Sequence, residues 1–238
     1  MTTDSPLISV VIAVRNGERF LGQAIESVLS QTYSPVEIIV VDGRSTDTSR
    51  IIAESYSGVR CLEQAGNGFA DAWNIGIGEA HGELIAILDS DDWWAPRKLA
   101  AQMELLQREP QTQYVITRMV FVLEPGHDAP PGFKRELLDR DHVAYMPSAL
   151  LARKQVFNTL GDFATSWEIA SDVEWFARAK DRQLVLGIVP EVMLFKRVHD
   201  SNLSYLDSRT RRFNREVVGL LKQSIDRQRA RGAGGENA

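Results

Sequence analysis

The chain has 238 residues, of which 44% are hydrophobic and 25% are charged, and its formal net charge is −5 with a pI near 5.5. This composition is typical of a folded globular protein and argues against a disordered chain. The acidic balance argues against a nucleic-acid-binding protein that relies on a broad basic surface. One large α/β domain accommodates this length.

The cysteine content and the apolar runs bear on the cellular compartment. Cys61 is the single cysteine, so an intramolecular disulfide is excluded and a reducing compartment is favoured. The first residues show no basic segment followed by an apolar stretch, and no apolar run reaches the roughly 18 residues that cross a bilayer. We therefore expect a cytoplasmic protein, whose contact with the inner face of a membrane would be peripheral.

Short apolar runs alternate with helical patterns in the first half of the chain. The apolar runs predict buried strands at residues 8–14, 36–41, 59–63 and 83–88. The spacing of apolar residues and the positions of capping residues predict helices at residues 20–30, 70–80 and 97–108, and one that ends at residue 54 after caps at 45–47. This alternation is typical of a mostly parallel sheet with helices on both faces, which is the α/β class we expect.

The second half of the chain is less regular. Its apolar pattern predicts a long strand or strand pair at residues 113–123, short strands at 146–151 and 184–189, and helices at 172–180 and 213–228. Residues 124–141 are rich in Pro, Gly and charge, which predicts a mobile loop. Residues 232–238 are expected to be disordered.

Charge is unevenly distributed toward the C-terminus. Residues 207–231 hold eight basic and three acidic residues, so this segment carries +5 and the remainder of the chain −10. A basic amphipathic helix of this kind can contact anionic lipid or a partner, including a second copy of the chain. It can equally pack on the domain with its basic face in solvent.

Asp89, Asp91 and Asp92 follow directly after the apolar run 84–88. They would therefore lie at the carboxyl end of a buried strand, where α/β proteins bind ligands. Adjacent carboxylates repel unless a cation or a raised pKa intervenes, and oxygen ligands favour Mg²⁺ or Mn²⁺ over zinc. The alternative is that Asp92 caps the helix predicted at residues 97–108.

Further blocks occur in order along the chain. They comprise residues 8–17, 27–33, 37–42, 45–47, 74–76 and 82–83, which lead to the aspartates at 89–92. In this order and at this spacing the blocks resemble family 2 glycosyltransferases of the GT-A fold, over residues 7–205. The resemblance implies a GT-A domain at 1–206 with a nucleotide-binding half (1–110) and an acceptor-binding half (111–206), followed by the basic helix (207–231) and the tail (232–238).

The resemblance implies an inverting, hexosyltransferase-like enzyme that uses a nucleotide sugar, with a UDP-sugar favoured. The backbone of residues 14–16 would bracket the base, Asp42 would accept from the base or ribose, and Arg197 would neutralise a phosphate oxygen. The implied donor-binding residues are Val14, Arg15, Asn16, Asp42, Asp71, Asn74, Asp89, Ser90 and Arg197. Asp42 is alternatively a turn former, and Asp71 alternatively a carboxylate on a helix surface.

The same resemblance implies that Asp89, Asp91 and His199 hold Mn²⁺ or Mg²⁺ on the departing diphosphate. Asp172 would be the general base that deprotonates the acceptor hydroxyl, and Glu174 would be the alternative base. Asp172 alternatively serves as a helix cap. A saccharide, a lipid-linked sugar and a peptide side chain all remain open as the acceptor.

Two other functional hypotheses compete with this one. The first is a catalytically weak sugar-nucleotide-binding subunit that acts with a partner. The second is a Rossmann oxidoreductase, suggested by Gly66-Asn67-Gly68 and Gly76-Ile77-Gly78. The oxidoreductase hypothesis is disfavoured because neither glycine pair follows the first strand with the full dinucleotide-binding spacing.

Overall fold

The computed structural model describes residues 5–131, 133–199, 202, 212–220 and 222. The strands are β1 (Ile8–Val14), β2 (Val36–Asp42), β3 (Val59–Glu63), β4 (Leu84–Asp89), β5 (Trp93–Trp94), β6 (Tyr114–Leu123), β7 (His142–Val143), β8 (Leu151–Arg153) and β9 (Leu186–Val198). The helices are α1 (Leu21–Leu29), α2 (Ser49–Ser55), α3 (Phe69–Glu79), α4 (Lys98–Arg108), α5 (Lys154–Leu160), α6 (Ser171–Asp181) and α7 (212–220).

The described strands form one sheet in the order β3-β2-β1-β4-β8-β6-β9-β5, with β7 paired to β6. Strands β3, β2, β1 and β4 are mutually parallel, and β8 runs antiparallel to both β4 and β6. Strand β9 is parallel to β6 and antiparallel to β5. The protein is therefore a mixed α/β domain with a mostly parallel sheet, as its sequence predicts.

The centre of the sheet is the core of the domain. All seven residues of β1 are buried, and so are the first five residues of β4. Successive side chains of a strand point to opposite faces, so burial at every position means that both faces of these strands are covered. The apolar β-branched run of β1 forms a strand because its residues pack on both sides.

Strand β1 is the point at which the strand order reverses. The chain moves from β1 to β2 on one side, and β4 then pairs with the other side of β1. In register, Val14 lies opposite Asp42 of β2, and Ala13 lies opposite Asp89 of β4. A crevice opens at the carboxyl ends of strands at such a switch point, so Asp42 and Asp89 flank the position where this fold binds ligands.

The predicted strands and helices of the first half are present, with ends that differ by a few residues, and residues 113–123 form one long strand. The predicted strand at 146–151 is wrong. Pro147 opens a 3₁₀ turn, Pro147–Ala149, and the strand begins at Leu151. The short elements β5 and α5 were not predicted, because two residues and seven residues carry too little periodicity.

Strand β9 extends well beyond the predicted residues 184–189. The apolar run stops at Pro190, which has no N–H to donate. The strand nevertheless continues because its register against β6 shifts there, pairing Thr117 with Val189 and Arg118 with Val192. This irregularity leaves Pro190 unpaired with β6 and carries the strand on to Val198, next to the aspartates.

The described residues of 124–141 contain a 3₁₀ turn, Arg135–Leu137, and otherwise connect β6 to β7 without a longer helix or strand. The predicted helix at 213–228 is present over its described residues. The proposed tail at 232–238 and the proposed boundary at 206 lie outside the described residues. Within the described part of the chain, the helices are all too short or too polar to cross a bilayer.

Candidate functional site

Asp89, Asp91 and Asp92 come together at the carboxyl end of β4, and we call them the aspartate cluster. One carboxylate oxygen from each lies within 4.8 Å of the others. Side chains of Asp89 and Asp91 are 27% and 28% exposed, whereas that of Asp92 is fully buried. Asp92 does not cap α4, because that helix begins six residues later at Lys98. The cluster thus presents two accessible carboxylates in front of a buried one.

The buried carboxylate of Asp92 is paired with Lys196 of β9. The Lys196 Nζ lies 2.9 Å from Asp92 Oδ2 and 3.4 Å from Asp89 Oδ2. The backbone N–H of Arg197 donates to Asp92 Oδ1 at 3.0 Å. Burial raises the pKa of Asp92, the charge of Lys196 opposes this, and the neighbouring aspartates add to the rise.

Asp91 faces His199 and Asn202. The Asn202 Oδ1 accepts from the His199 backbone N–H, so its Nδ2 is the donor toward His199 Nε2 at 2.9 Å and Asp91 Oδ2 at 3.2 Å. The His199 Nε2 and Asp91 Oδ2 are then two acceptor atoms 3.2 Å apart. A cation stabilises such a pair. Burial raises the pKa of Asp91, but the charge of Lys196 and the neighbouring His199 outweigh this effect, so the pKa lies below its ordinary value.

This donor set fits a hard divalent cation. Asp89 and Asp91 offer partly exposed carboxylate oxygens, and His199 Nε2 adds an imidazole acceptor beside Asp91. Carboxylates suit Mg²⁺ and Mn²⁺, and imidazole is compatible with Mn²⁺. The three residues of the metal prediction therefore lie in one place, with Asp92 behind them.

Arg197 does not lie where a phosphate-binding side chain would be expected. Its guanidinium is stacked between Phe20 and Trp93, 4.4 Å and 4.6 Å from the ring centroids. The Nε donates to the backbone oxygen of Asp91 at 3.0 Å, and the Nη2 donates to Gln23. These contacts use the guanidinium to hold the aspartate turn in place, and the role of Arg197 in neutralising a phosphate oxygen stays a prediction.

The loop after β1 is interlocked with the loop after β2. Asn16 adopts φ 52° and accepts from the Thr46 backbone N–H at 2.8 Å, while its own N–H donates to Ser45 Oγ at 2.9 Å. The Glu18 Oε2 accepts from both the N–H and the hydroxyl of Thr48. These cross-links fix the two loops that border the crevice before any ligand binds.

Asp42 ends β2 inside this crevice and is 2% exposed. Both of its carboxylate oxygens accept from the Ser45 backbone N–H, at 3.3 Å and 3.2 Å, which is the turn-forming role given as its alternative. The Val14 backbone oxygen accepts from the Gly43 N–H at 2.7 Å. Arg15 is exposed beside this junction.

Ser90 also borders the crevice, because a Cβ built on Gly17 would lie 3.3 Å from its Oγ. The same Cβ would lie 2.7 Å from a methyl group of Val14, so only glycine fits there. Val14, Arg15, Asn16, Asp42 and Ser90 therefore lie together at the carboxyl ends of β1, β2 and β4, where this fold is expected to bind a ligand, and their role in donor binding stays a prediction.

The two predicted donor-binding residues on α3 differ in position. Asp71 accepts from Gln64 Nε2 at 2.9 Å, and Gln64 is itself buried against Gly43, so Asp71 borders the crevice. Asn74 instead bridges the backbone of Phe163, with Nδ2 donating at 2.8 Å and Oδ1 accepting at 3.0 Å. Both ends of its amide thus join α3 to the loop before α6, which favours a structural role, and donor binding by Asn74 stays a prediction.

Asp172 lies in the first turn of α6, where its carboxylate accepts from the Val173 N–H at 2.8 Å. Burial raises the pKa of Asp172 to about 6, the Val173 N–H opposes this, and the charge of Asp89 adds to the rise. Asp172 is thus close enough to the aspartate cluster to be affected by the charge of Asp89, and with a pKa of about 6 it is mostly ionised at neutral pH. Such a group matches the requirement for a general base.

Glu174 is occupied elsewhere. Its carboxylate accepts from both Nε and Nη2 of Arg178, at 2.9 to 3.2 Å, and the same guanidinium donates to the backbone oxygens of Leu160 and Asp162. This bidentate ion pair with Arg178 anchors α6 and favours a structural role for Glu174, whose role as the alternative base stays a prediction.

Helix α7 packs against the loop that leads into α6. The Glu216 carboxylate accepts from the backbone N–H groups of residues 168–170, at 3.3, 3.1 and 2.9 Å. Leu220 is buried, and a Cβ on Gly219 would lie 3.1 Å from the Trp167 ring. The described part of the basic helix is therefore packed on the domain, as one of its two interpretations predicts. A contact with membrane or with a second copy stays a prediction.

Three residues of the site carried no separate signal in the sequence. Lys196 and Gln64 become recognisable only when β9 and β3 are placed beside the aspartates and Gly43. Glu216 lies in a segment in which most charged residues are basic, so its carboxylate did not stand out. Successive side chains of β9 alternate, so Lys196 contacts Asp92 while Arg197 stacks on Phe20 and Trp93, but this alternation does not by itself place β9 beside the aspartates.

Comparison with known proteins gives a consistent result. Residues 9–170 match the family model described as Glycosyl transferase family 2. An uncharacterized glycosyltransferase of Rickettsia typhi is 29% identical over 216 residues, which is 84% of this chain and 66% of that protein. An uncharacterized glycosyltransferase of Nostoc sp. is 42% identical over 105 residues, 42% of this chain and 33% of that protein. The chain thus spans between a third and two-thirds of these relatives.

Solved structures share the fold. TarS of S. aureus in complex with UDP superposes with a TM-score of 0.65 at 17% identity, over 80% of this chain and 60% of that one. The mannosyltransferase PcManGT from Pyrobaculum calidifontis, in complex with GDP-Man and Mn²⁺, gives a TM-score of 0.68 at 22% identity, over 94% and 65%. At these identities the similarity establishes a common architecture.

Proposed function

Because this chain belongs to glycosyltransferase family 2, we propose that it transfers a sugar from a nucleotide-sugar donor to a hydroxyl group of an acceptor, with inversion at the anomeric carbon. The observation that carries the proposal is the meeting of the aspartate cluster and Asp172 beside the crevice at the switch point of the sheet. One side of the site is suited to a cation and a diphosphate, and the other to proton removal.

The donor would lie across the crevice formed by the loops after β1 and β2. The interlocked loops present Asp42, Asn16 and the backbone near Val14 to the base and ribose. We propose a UDP-sugar as the first donor to test, since TarS, which shares the fold, holds UDP. PcManGT holds GDP-Man, so a guanine nucleotide is the second.

The diphosphate would lie at the aspartate cluster. Asp89, Asp91 and His199 are the residues that would hold Mn²⁺ or Mg²⁺. When bound, such an ion stabilises the negative charge that develops on the departing diphosphate. Lys196 supplies a fixed positive charge behind the carboxylates, and Arg197 keeps the Asp91 backbone in position.

The acceptor hydroxyl would be deprotonated by Asp172. Its oxygen attacks the anomeric carbon while the bond from that carbon to the diphosphate oxygen breaks, the bonding pair leaves with the diphosphate, and the proton goes to the Asp172 carboxylate. A pKa of about 6 makes Asp172 ionised at neutral pH yet a better proton acceptor than an ordinary aspartate. Saccharide, lipid-linked sugar and peptide hydroxyls all remain candidate acceptors.

Donor hydrolysis tests this function without knowledge of the acceptor, because water can replace it. The wild-type protein is incubated with UDP-, GDP-, dTDP- and CMP-sugars in the presence of Mn²⁺, and the release of nucleotide is measured. The anomeric configuration of the released sugar is recorded by NMR before mutarotation equilibrates it. We expect release from one nucleotide class with inverted configuration, and a strong loss in Asp172→Asn. Retained configuration, or release that is unchanged in Asp172→Asn, would contradict the mechanism. Donor binding without any turnover would favour the partner-dependent sugar-nucleotide-binding subunit.

A further inference from the structure

Lys196 is held rigidly inside the aspartate cluster. Its side chain is 14% exposed, and its Nζ contacts Asp92 at 2.9 Å and Asp89 at 3.4 Å. The next residue, Arg197, is fixed by its two aromatic neighbours and donates its backbone N–H to Asp92. The strand therefore delivers the ammonium group to one position, between the buried carboxylate and an accessible one.

The arrangement divides the three carboxylates by availability. Asp92 is fully buried, and its two oxygens accept from Lys196 and from the Arg197 N–H, so it is not available to an incoming ion. Asp89 shares one oxygen with the same ammonium. Within the cluster, the accessible carboxylate oxygens are consequently those of Asp91 and Asp89, and a positive charge already lies next to the second.

An ammonium group at this distance weakens divalent-ion binding in two ways. It neutralises part of the negative charge that attracts the ion, and it repels the ion directly. A nucleoside diphosphate that binds in the crevice would bring its own negative oxygens to the cluster and reverse this balance. Mn²⁺ and Mg²⁺ commonly bind through one or two carboxylates together with substrate phosphates.

We propose that Lys196 is a resident counter-cation that makes divalent-metal binding conditional on the donor diphosphate. The inference rests on the proposed function of the crevice, and it assigns to Lys196 a specificity role that is separate from the metal ligands. Free protein would hold Mn²⁺ weakly, and the metal would enter with the nucleotide or after it. Lys196 would thereby keep the cluster from being filled by a cation before the donor arrives.

The test is the affinity for Mn²⁺ itself, measured by the EPR signal of free Mn²⁺ with and without UDP (or the nucleotide class that binds). Lys196→Gln removes the charge and keeps a hydrogen-bond donor for the carboxylates, and Lys196→Arg is the matched control that keeps the charge. We expect Lys196→Gln to bind Mn²⁺ without nucleotide about tenfold or more tightly than wild type, because one unit charge beside a divalent ion is removed. The enhancement by nucleotide should shrink in Lys196→Gln and persist in Lys196→Arg.

The outcomes separate the two proposals. Folded Lys196→Gln with wild-type Mn²⁺ affinity would overturn the role of Lys196 while leaving the glycosyltransferase function intact. If Lys196→Gln fails to fold, Lys196→Met, which also removes the charge, takes its place. Wild-type Mn²⁺ affinity that is equal with and without nucleotide, after correction for the Mn²⁺ that UDP binds in protein-free solution, also overturns the inference. Wild type that binds no nucleotide of the panel contradicts the proposed function and the inference with it.

Discussion

Replacing Asp172 by Asn should lower activity and raise stability at the same time. Burial raises the pKa of Asp172 to about 6 in the folded protein, against 3.8 for an ordinary aspartate. Below pH 3.8 the Asp172 carboxyl group is protonated in both the folded and the unfolded state, so its ionisation does not change the free energy of unfolding. As the pH rises from 3.8 to about 6, the unfolded state releases this proton while the folded state retains it, so stability is lost over this window and stays lost above it.

The magnitude follows from the size of the shift. A rise from 3.8 to about 6 corresponds to roughly 3 kcal/mol of destabilisation at neutral pH, and about 1–3 kcal/mol is a realistic range for a partly accessible carboxyl group. Asparagine resembles the protonated acid, and its Oδ1 can still accept from the Val173 N–H. Asp172→Asn should therefore recover most of this free energy, while loss of the base should reduce kcat by about 10²–10⁴.

The assay combines urea unfolding at pH 8 and at pH 4 with donor turnover. The stability gain of Asp172→Asn should be present at pH 8 and small at pH 4, and donor affinity should change little. Wild-type turnover should fall about tenfold per pH unit below pH 6, which reports the ionisation of the base. The reasoning is refuted if Asp172→Asn is less stable than wild type at pH 8, or if turnover persists unchanged.

Two further substitutions test positions outside the cluster. Glu216→Ala leaves the backbone N–H groups of residues 168–170 without their carboxylate, so the free energy of unfolding should fall by about 1–3 kcal/mol. We also expect kcat to fall more than donor affinity. Glu216→Gln should partly restore both stability and kcat. Equal stability of the Ala variant and wild type in urea would contradict this. Asn74→Ala should lose about 1–3 kcal/mol of stability, because its hydrogen bonds to the Phe163 backbone are lost, while the donor Kd stays within about twofold of wild type. A large loss of donor affinity, measured by calorimetry, would instead show that Asn74 binds the donor.

The sheet was predictable because its information is local. Strands such as β1 and β4 are continuous apolar runs, and the helices between them carry a clear apolar stripe. The end of each strand then places Asp42 and Asp89 at one edge without further information, since parallel strands end together. The aspartate cluster could therefore be placed from residues 84–92 alone.

The contacts that organise the site depend on distant pairings. Arg197 was expected to bind phosphate, but its guanidinium is stacked between Phe20, directly before α1, and Trp93 of β5. Lys196 faces Asp92 only because an irregularity at Pro190 extends β9 to the cluster. Local sequence patterns do not encode such register shifts, so the contacts between β9 residues and the aspartates were identified only in the folded structure.

Glu174 differs, because the contact that engages it is local in the sequence. It has the residue type and spacing of a base, but Arg178 lies four residues later on the same helix and contacts both of its oxygens. An i, i+4 pair is visible in a sequence, and it favours a structural role for Glu174 over a catalytic one.

The central claim is that the aspartate cluster and the neighbouring crevice bind a nucleotide-sugar donor together with a metal ion. It is tested most directly by thermal stability with UDP-, GDP-, dTDP- and CMP-sugars, each with Mn²⁺ and with EDTA, for wild type and for Asp91→Asn. The account predicts a Mn²⁺-dependent rise in Tm with one nucleotide class in wild type, lost in Asp91→Asn although that variant is folded. A folded wild-type protein whose Tm responds to none of these donors, or an equal response in Asp91→Asn, would contradict it.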